Sequence, residues 1–262
     1  MAVLFRKSRR LDAYVPSLVG VELAREVYIR GNDEVVGITD TGLYLYHLSA
    51  RKVVMYNCWA NKADEAETNP CDHGTHVAGL LAGSSIRGKH ANLGIGDKTR
   101  ISFMDIGTQG ETCAGQLHCA SNDAGAKIFS FSWGTPGSDY SSQARDLDAF
   151  IYENLDVLVV VAAGNSGESS TTGQRTISSP SGAKIVISVG VSLNSAASFT
   201  NFGCPDVFNE RTVASFSSAR FTTDGRLKPD VVAPGMSLFH CSLQGTSQAV
   251  WPGDHWCRCT ST

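Results

Sequence analysis

Five short apolar runs recur along the chain, separated by segments long enough to be helices. EVVGIT (Glu34–Thr39), RISFMD (Arg100–Asp105), KIFSFS (Lys127–Ser132), VLVVVA (Val157–Ala162) and KIVISV (Lys184–Val189) are rich in Val and Ile. They show little of the polar alternation that marks a half-solvated strand, so each is expected to be a strand covered on both faces. Between them, His73–Ala82, Ala114–Ala124 and Ser142–Glu153 carry helix-like spacing. Strand and helix in alternation predict a mostly parallel central sheet wrapped by helices, a three-layer α/β/α fold. After about residue 190 the pattern loosens into loops and short strands, with no linker and no internal repeat.

In such open sheets, ligands bind beyond the carboxyl ends of the strands. Three polar clusters fall at strand ends or helix starts. Asp40 closes the first apolar run in ITDTG. As an isolated residue it reads equally well as a turn cap, and D-T-G is also the short motif of aspartic proteases. Those require a second carboxylate sharing the proton, and no second D-T-G or D-S-G precedes an apolar strand. His73 opens the helix of DHGTHVAG, whose small residues Ala78, Gly79, Ala82 and Gly83 suit close packing on a sheet. His73 and His76 lack the glutamate of an H-E-x-x-H zinc site, and His76 reads as a structural histidine pointing inward. Ser247 stands in Gly245-Thr246-Ser247, a tight turn at a helix start, where free backbone N–H groups favour developing negative charge. Asp40, His73 and Ser247 also follow one another in one of the chain orders used by Ser-His-Asp triads.

Six motifs then agree in order and spacing. ITDTG, HGTHVAGLLAG, SFSWG, AAGNSG, KPDVVAPG and GTS resemble those of the subtilisin-like serine proteases, the subtilases, across residues 33–250. The run Arg145–Phe150, with FSSARFTTDGRLKPDVVAPG, resembles large eukaryotic subtilases of protists and fungi. This resemblance implies a subtilisin-like fold and a serine endopeptidase. Ser247 would be the nucleophile, His73 its base and later the acid, and Asp40 the group that orients His73. Asn165 would supply an oxyanion-hole amide together with the Ser247 N–H. Ser132, Trp133 and Gly134 would pair with substrate backbone, facing Ala163 and Gly164 across the primary pocket. Trp133 would either narrow its subsite or pack on the sheet edge. The chemistry requires no cofactor; calcium sites are common in the family, but no EF-hand ligand spacing occurs here.

The same resemblance implies a long apolar helix after the nucleophile. WPGDHWCRCTST (251–262) has no 3.6-residue periodicity, so the last core helix is expected to be lacking and residues 251–262 to form an aberrant tail. Residues 1–32 read as a leader or a remnant of a preceding region. On this reading the chain is marginally stable, and an inactive fragment or pseudoprotease that keeps only a peptide-binding groove is the alternative to an active enzyme. A zinc knot at His255, Cys257 and Cys259 is disfavoured by the C-x-C spacing.

At 262 residues and 42% apolar, the chain can bury a sizeable core. A net charge of -3 gives no basic surface for nucleic acid, and no apolar run approaches a bilayer span. The substrate is expected to be a peptide or protein. MAVLFRKSRR places its basic cluster after the apolar residues, the reverse of a secretory signal. The 8 cysteines form no C-x-x-C pair, and so many thiols suggest disulfides in an oxidising compartment, secreted or endolysosomal/vacuolar.

Overall fold

A computed structural model describes residues 15, 18–43, 52–58, 73–83, 93–106, 117, 120–137, 139–169, 175–193 and 209–235. In chain order the elements are α1 (Val21–Glu26), β1 (Val35–Asp40), β2 (Val53–Cys58), α2 (His73–Ala82), β3 (Arg100–Asp105), β4 (Ile128–Phe131), α3 (Ser142–Glu153), β5 (Leu158–Ala162), β6 (Ile187–Ser192), β7 (Arg220–Phe221), β8 (Leu227–Lys228) and β9 (Val231–Pro234). Seven strands form one sheet in the order β2-β3-β1-β4-β5-β6-β9, and every neighbouring pair is parallel. The connection leaving β1 runs toward β2 on one side, and the one leaving β4 runs toward β5 on the other. The winding therefore reverses between β1 and β4, which opens a crevice at their carboxyl ends.

Two apolar clusters lie on opposite faces of this sheet, giving the expected three layers. Val36, Ile38, Ile101 and Phe103 pack with Ala78 and Ala82 of α2. On the other face Phe129, Phe131, Val159 and Val161 pack with Ala144, Leu147, Phe150 and Ile151 of α3. The α3 stripe recurs at helical spacing, and Ser141 caps it by accepting from Ala144 N at 3.2 Å. Gly74, Ala78 and Ala82 are the buried residues of α2, so its backbone comes close to the sheet. Gly79 differs from the expectation: no described atom lies within 4 Å of where its Cβ would stand.

Asp148 belongs to the buried α3 stripe yet carries a charge. Its carboxylate accepts from Tyr140 Oη at 2.7 Å, Lys184 N at 2.9 Å and Ile185 N at 2.8 Å. Burial and this bond push the Tyr140 phenol up to about 12. The same contacts account for a shift in β6. Lys184 and Ile185, expected in the strand, are held in a turn by Asp148, and pairing begins only at Ile187.

Two strands of the seven-stranded sheet, β2 and β9, are not among the five apolar runs, although short strands are expected after about residue 190, where β7, β8 and β9 all fall. β2 and β9 are the sheet edges, and Val54, Val231 and Val232 are exposed on them. The interior strands also differ from the sequence reading. Burial alternates along β5 and β6, and Ile128 and Leu158 are each 40% exposed. Among the described residues, α2 covers only the β1–β3 part of that face. Leu117 and residues 120–122 are helical, as expected; the rest of 114–124 lies outside the described residues. So do the tail 251–262 and Cys71, Cys113, Cys119, Cys204, Cys241, Cys257 and Cys259. No described helix is long and apolar enough to cross a membrane.

Ahead of β1, Arg30 grips Asp97 with Nε at 3.0 Å from Oδ1 and Nη2 on Oδ2, and Arg25 Nη2 donates to Gly94 O at 2.6 Å. Lys52 Nζ donates to Ala82 O at 2.5 Å, a cation on the carboxyl end of α2. These contacts fix both ends of the connection that carries α2 back into β3.

Candidate active site

β1 ends on Asp40, whose side chain is 1% exposed, and α2 begins on His73. Asp40 Oδ1 lies 2.8 Å from His73 Nδ1 and accepts from Thr41 N, also at 2.8 Å. The imidazole is 37% exposed. A carboxylate in this position holds the proton on Nδ1 and leaves Nε2 as the basic nitrogen. Among the described residues, Asp40 Oδ2 is buried with no hydrogen-bond partner.

Gly74 permits this approach. A Cβ there would stand 2.3 Å from Gly42 O, 2.8 Å from Phe103 Cζ and 3.1 Å from Asp40 Cβ. Phe103 is fully buried and Gly42 O is backbone, so neither can yield cheaply. Gly74→Ala is therefore expected to push the start of α2 away from Asp40. If the chain has the protease activity its motifs lead one to expect, a displacement of about 1 Å would cost roughly a hundredfold in turnover, to be read from steady-state peptide hydrolysis. Unchanged turnover would mean that α2 is free to shift.

Beside Asp40 in the parallel register stands Asp105, fully buried, which accepts from Tyr56 Oη at 3.1 Å. Tyr56 stacks on Phe103 with ring centroids 5.6 Å apart. Sequence reading took RISFMD for a strand and passed over its final acid, because that residue acquires meaning only from its neighbour across the ladder.

The remaining candidates follow along the same sheet edge, at about 5 Å per strand. Ser132, Trp133 and Gly134 leave β4. The Trp133 ring stacks on Phe131 at 5.5 Å, and its Nε1 donates to Thr39 Oγ1 at 2.9 Å. Ala163, Gly164 and Asn165 leave β5, with Ala163 buried and Asn165 exposed in a bend. Gly164 has φ +108, backbone that L side chains rarely adopt. His76 is half-buried on α2. Ser247 lies outside the described residues.

The KPD motif proves structural. Lys228, 4% exposed, donates from Nζ to Val186 O at 2.9 Å and to Asp230 Oδ2 at 2.7 Å, and Asp230 Oδ2 accepts from Ser188 N at 2.7 Å. The pair locks β9 onto β6. Among the described residues no group of three His, Cys, Asp or Glu side chains could hold a metal ion.

A parallel sheet of this order, with a buried Asp paired to a His at its carboxyl edge, defines a class that comparison with known proteins identifies. Residues 31–259 match the Subtilase family, peptidase S8, and the chain belongs to it. It is 31% identical over 255 residues to the serine protease AprX of Bacillus subtilis, covering 88% of this chain and 54% of that protein. It is 26% identical over 321 residues to the serine protease/ABC transporter B family protein tagD of Dictyostelium discoideum, covering 87% of this chain and 17% of that one. The chain thus spans about half of one relative and about a sixth of the other. Among solved structures, the CspB protease of Clostridium perfringens superposes with a TM-score of 0.66 at 15% identity, covering 93% of this chain and 83% of that one. The fold is that of the subtilisin-like proteases.

Proposed function

We propose that this chain is a serine endopeptidase that cleaves peptide bonds in peptide or protein substrates. The observation that carries this reading is the 2.8 Å contact between buried Asp40 and His73 at the mouth of the sheet crevice. In the proposed cycle His73 Nε2 takes the Ser247 Oγ proton as that oxygen attacks the scissile carbonyl. Asp40 keeps the imidazole in the required tautomer and stabilises its charged form. The Asn165 side-chain amide and the Ser247 N–H receive the developing oxyanion. His73 then delivers its proton to the leaving amine, and water repeats the sequence on the acyl-enzyme.

Substrate backbone would pair with Ser132–Gly134, the segment that leaves β4 beyond the carboxyl end of the sheet. Main-chain pairing gives affinity with little sequence demand, and the pocket sets preference. The test compares the wild-type chain with Ser247→Ala on a fluorescently quenched protein substrate. Cleavage by the first and none by the second is expected. Equal cleavage by both would remove Ser247 from the mechanism, and no cleavage by either would favour a groove that binds without turnover.

A further inference from the structure

Two buried carboxyl groups end adjacent strands of the sheet. Asp40 closes β1, Asp105 closes β3, and the parallel register sets them side by side. Alternation along a strand sends every second side chain to the same face. Val36, Ile38 and Asp40 therefore share a face with Ile101, Phe103 and Asp105, the face that α2 covers. Neighbouring strands lie about 5 Å apart, so the two carboxyl groups are within reach of each other. Asp40 is 1% exposed and Asp105 0%. Asp40 Oδ2 is buried and has no hydrogen-bond partner among the described residues.

Two carboxyl groups this close in a dry site share one proton, because neither water nor distance screens a second negative charge. The surroundings decide which group keeps it. Asp40 Oδ1 accepts from Thr41 N at 2.8 Å and from Thr41 Oγ1 at 3.3 Å. It also faces His73 Nδ1 at 2.8 Å, on a ring that turns cationic in the proposed cycle. These contacts favour the charge on Asp40. Asp105 Oδ2 accepts from Tyr56 Oη at 3.1 Å, a neutral donor that suits a protonated acid as well as a charged one. The titratable groups on the elements packed around Asp105 are Asp40 on β1, Tyr56 and Cys58 on β2, and His73 and His76 on α2. No lysine or arginine stands on β1, β2 or α2.

We propose that Asp105 is a positioning residue acting through Asp40: it keeps a proton at neutral pH and donates it in a hydrogen bond to Asp40 Oδ2. The inference rests on the proposed protease reading. With Oδ2 held by Asp105 and Oδ1 by Thr41 N, the Asp40 carboxylate cannot rotate, and its charge stays aimed at His73 Nδ1. A charged Asp105 would act differently. A second negative charge beside the pair would favour the imidazolium form of His73, which cannot take the Ser247 proton.

The test compares the full chain with Asp105→Asn and Asp105→Leu, by infrared spectra at neutral pH and by the pH profile of kcat/KM on one peptide. Ordinary carboxyl groups are ionised at that pH, so a protonated-carboxyl band in wild type that Asp105→Asn lacks assigns the proton to Asp105. Asn is neutral, donates to Asp40 Oδ2 and accepts from Tyr56. It is expected to keep kcat within a few-fold and to leave the acid limb of the profile in place. Leu has similar bulk and no donor, and is expected to lower kcat about tenfold to a hundredfold at unchanged KM, the loss of one hydrogen bond to a charged group. If Asp105→Leu does not fold, the band and the Asn profile decide. Absence of the wild-type band, an acid limb lowered by about one pH unit in Asp105→Asn, or wild-type kcat in Asp105→Leu overturns the proposal alone. Hydrolysis of no peptide, with Ser247 inert to a phosphonate probe, overturns the protease reading and the role of Asp105 with it.

Discussion

Replacing Asp40 by Asn is expected to lower kcat by about four orders of magnitude while leaving the fold intact. The amide has the size of the carboxylate, so the close fit beneath Gly74 and beside Phe103 survives. What changes is the partner of His73 Nδ1. The Asn side chain can turn its NH2 toward that nitrogen, which then must accept, and the proton moves to Nε2. A protonated Nε2 cannot take the Ser247 proton. The buried position of Asp40 enlarges the effect, because a site with 1% exposure offers no water to restore the charge. Steady-state kinetics on one peptide, with thermal melts of both proteins, checks the expectation. Turnover within about tenfold of wild type would reduce Asp40 to a strand-end cap.

Asn165→Ala carries the second largest expected effect, a fall in kcat of about a hundredfold to a thousandfold with KM nearly unchanged. The residue sits exposed just past β5, where few contacts depend on it, so stability should hardly move. Its amide would meet charge that exists only in the tetrahedral state, and the loss therefore belongs to kcat. A large rise in KM at constant kcat would show that Asn165 binds the ground state and is no oxyanion donor.

Interior strands and both long helices were legible because their signals are local. EVVGIT and RISFMD are runs of apolar residues, and α2 and α3 have the spacing of one buried face with a clear start. Observed α2 and α3 coincide with the segments read from sequence. Edge strands were not legible in the same way. β2 opens on VVMY and β9 on VVA, but these runs are short and partly exposed at the sheet edges, with Val54, Val231 and Val232 all in contact with water, so neither stood out as a strand between two layers. The displaced start of β6 was illegible for another reason. It is decided by Asp148, 36 residues earlier in the chain, whose carboxylate holds Lys184 and Ile185 in a turn.

The site divides along the same line. Asp40 and His73 stand within motifs whose order in the chain already marks them as a pair, and the fold brings them into contact. Asp105 carries no motif. It gains its place from the ladder between β1 and β3, and only the assembled sheet puts it beside Asp40.

The central claim is that Asp40 and His73 activate Ser247. Its most direct measurement is to treat the folded chain with a fluorophosphonate and map the adduct by mass spectrometry. The expected result is one phosphonylated residue, Ser247, whose labelling is lost in the heat-denatured chain and strongly slowed in Asp40→Asn. Labelling at another serine, or labelling of Ser247 at the same rate with and without the Asp40 carboxylate, would contradict it.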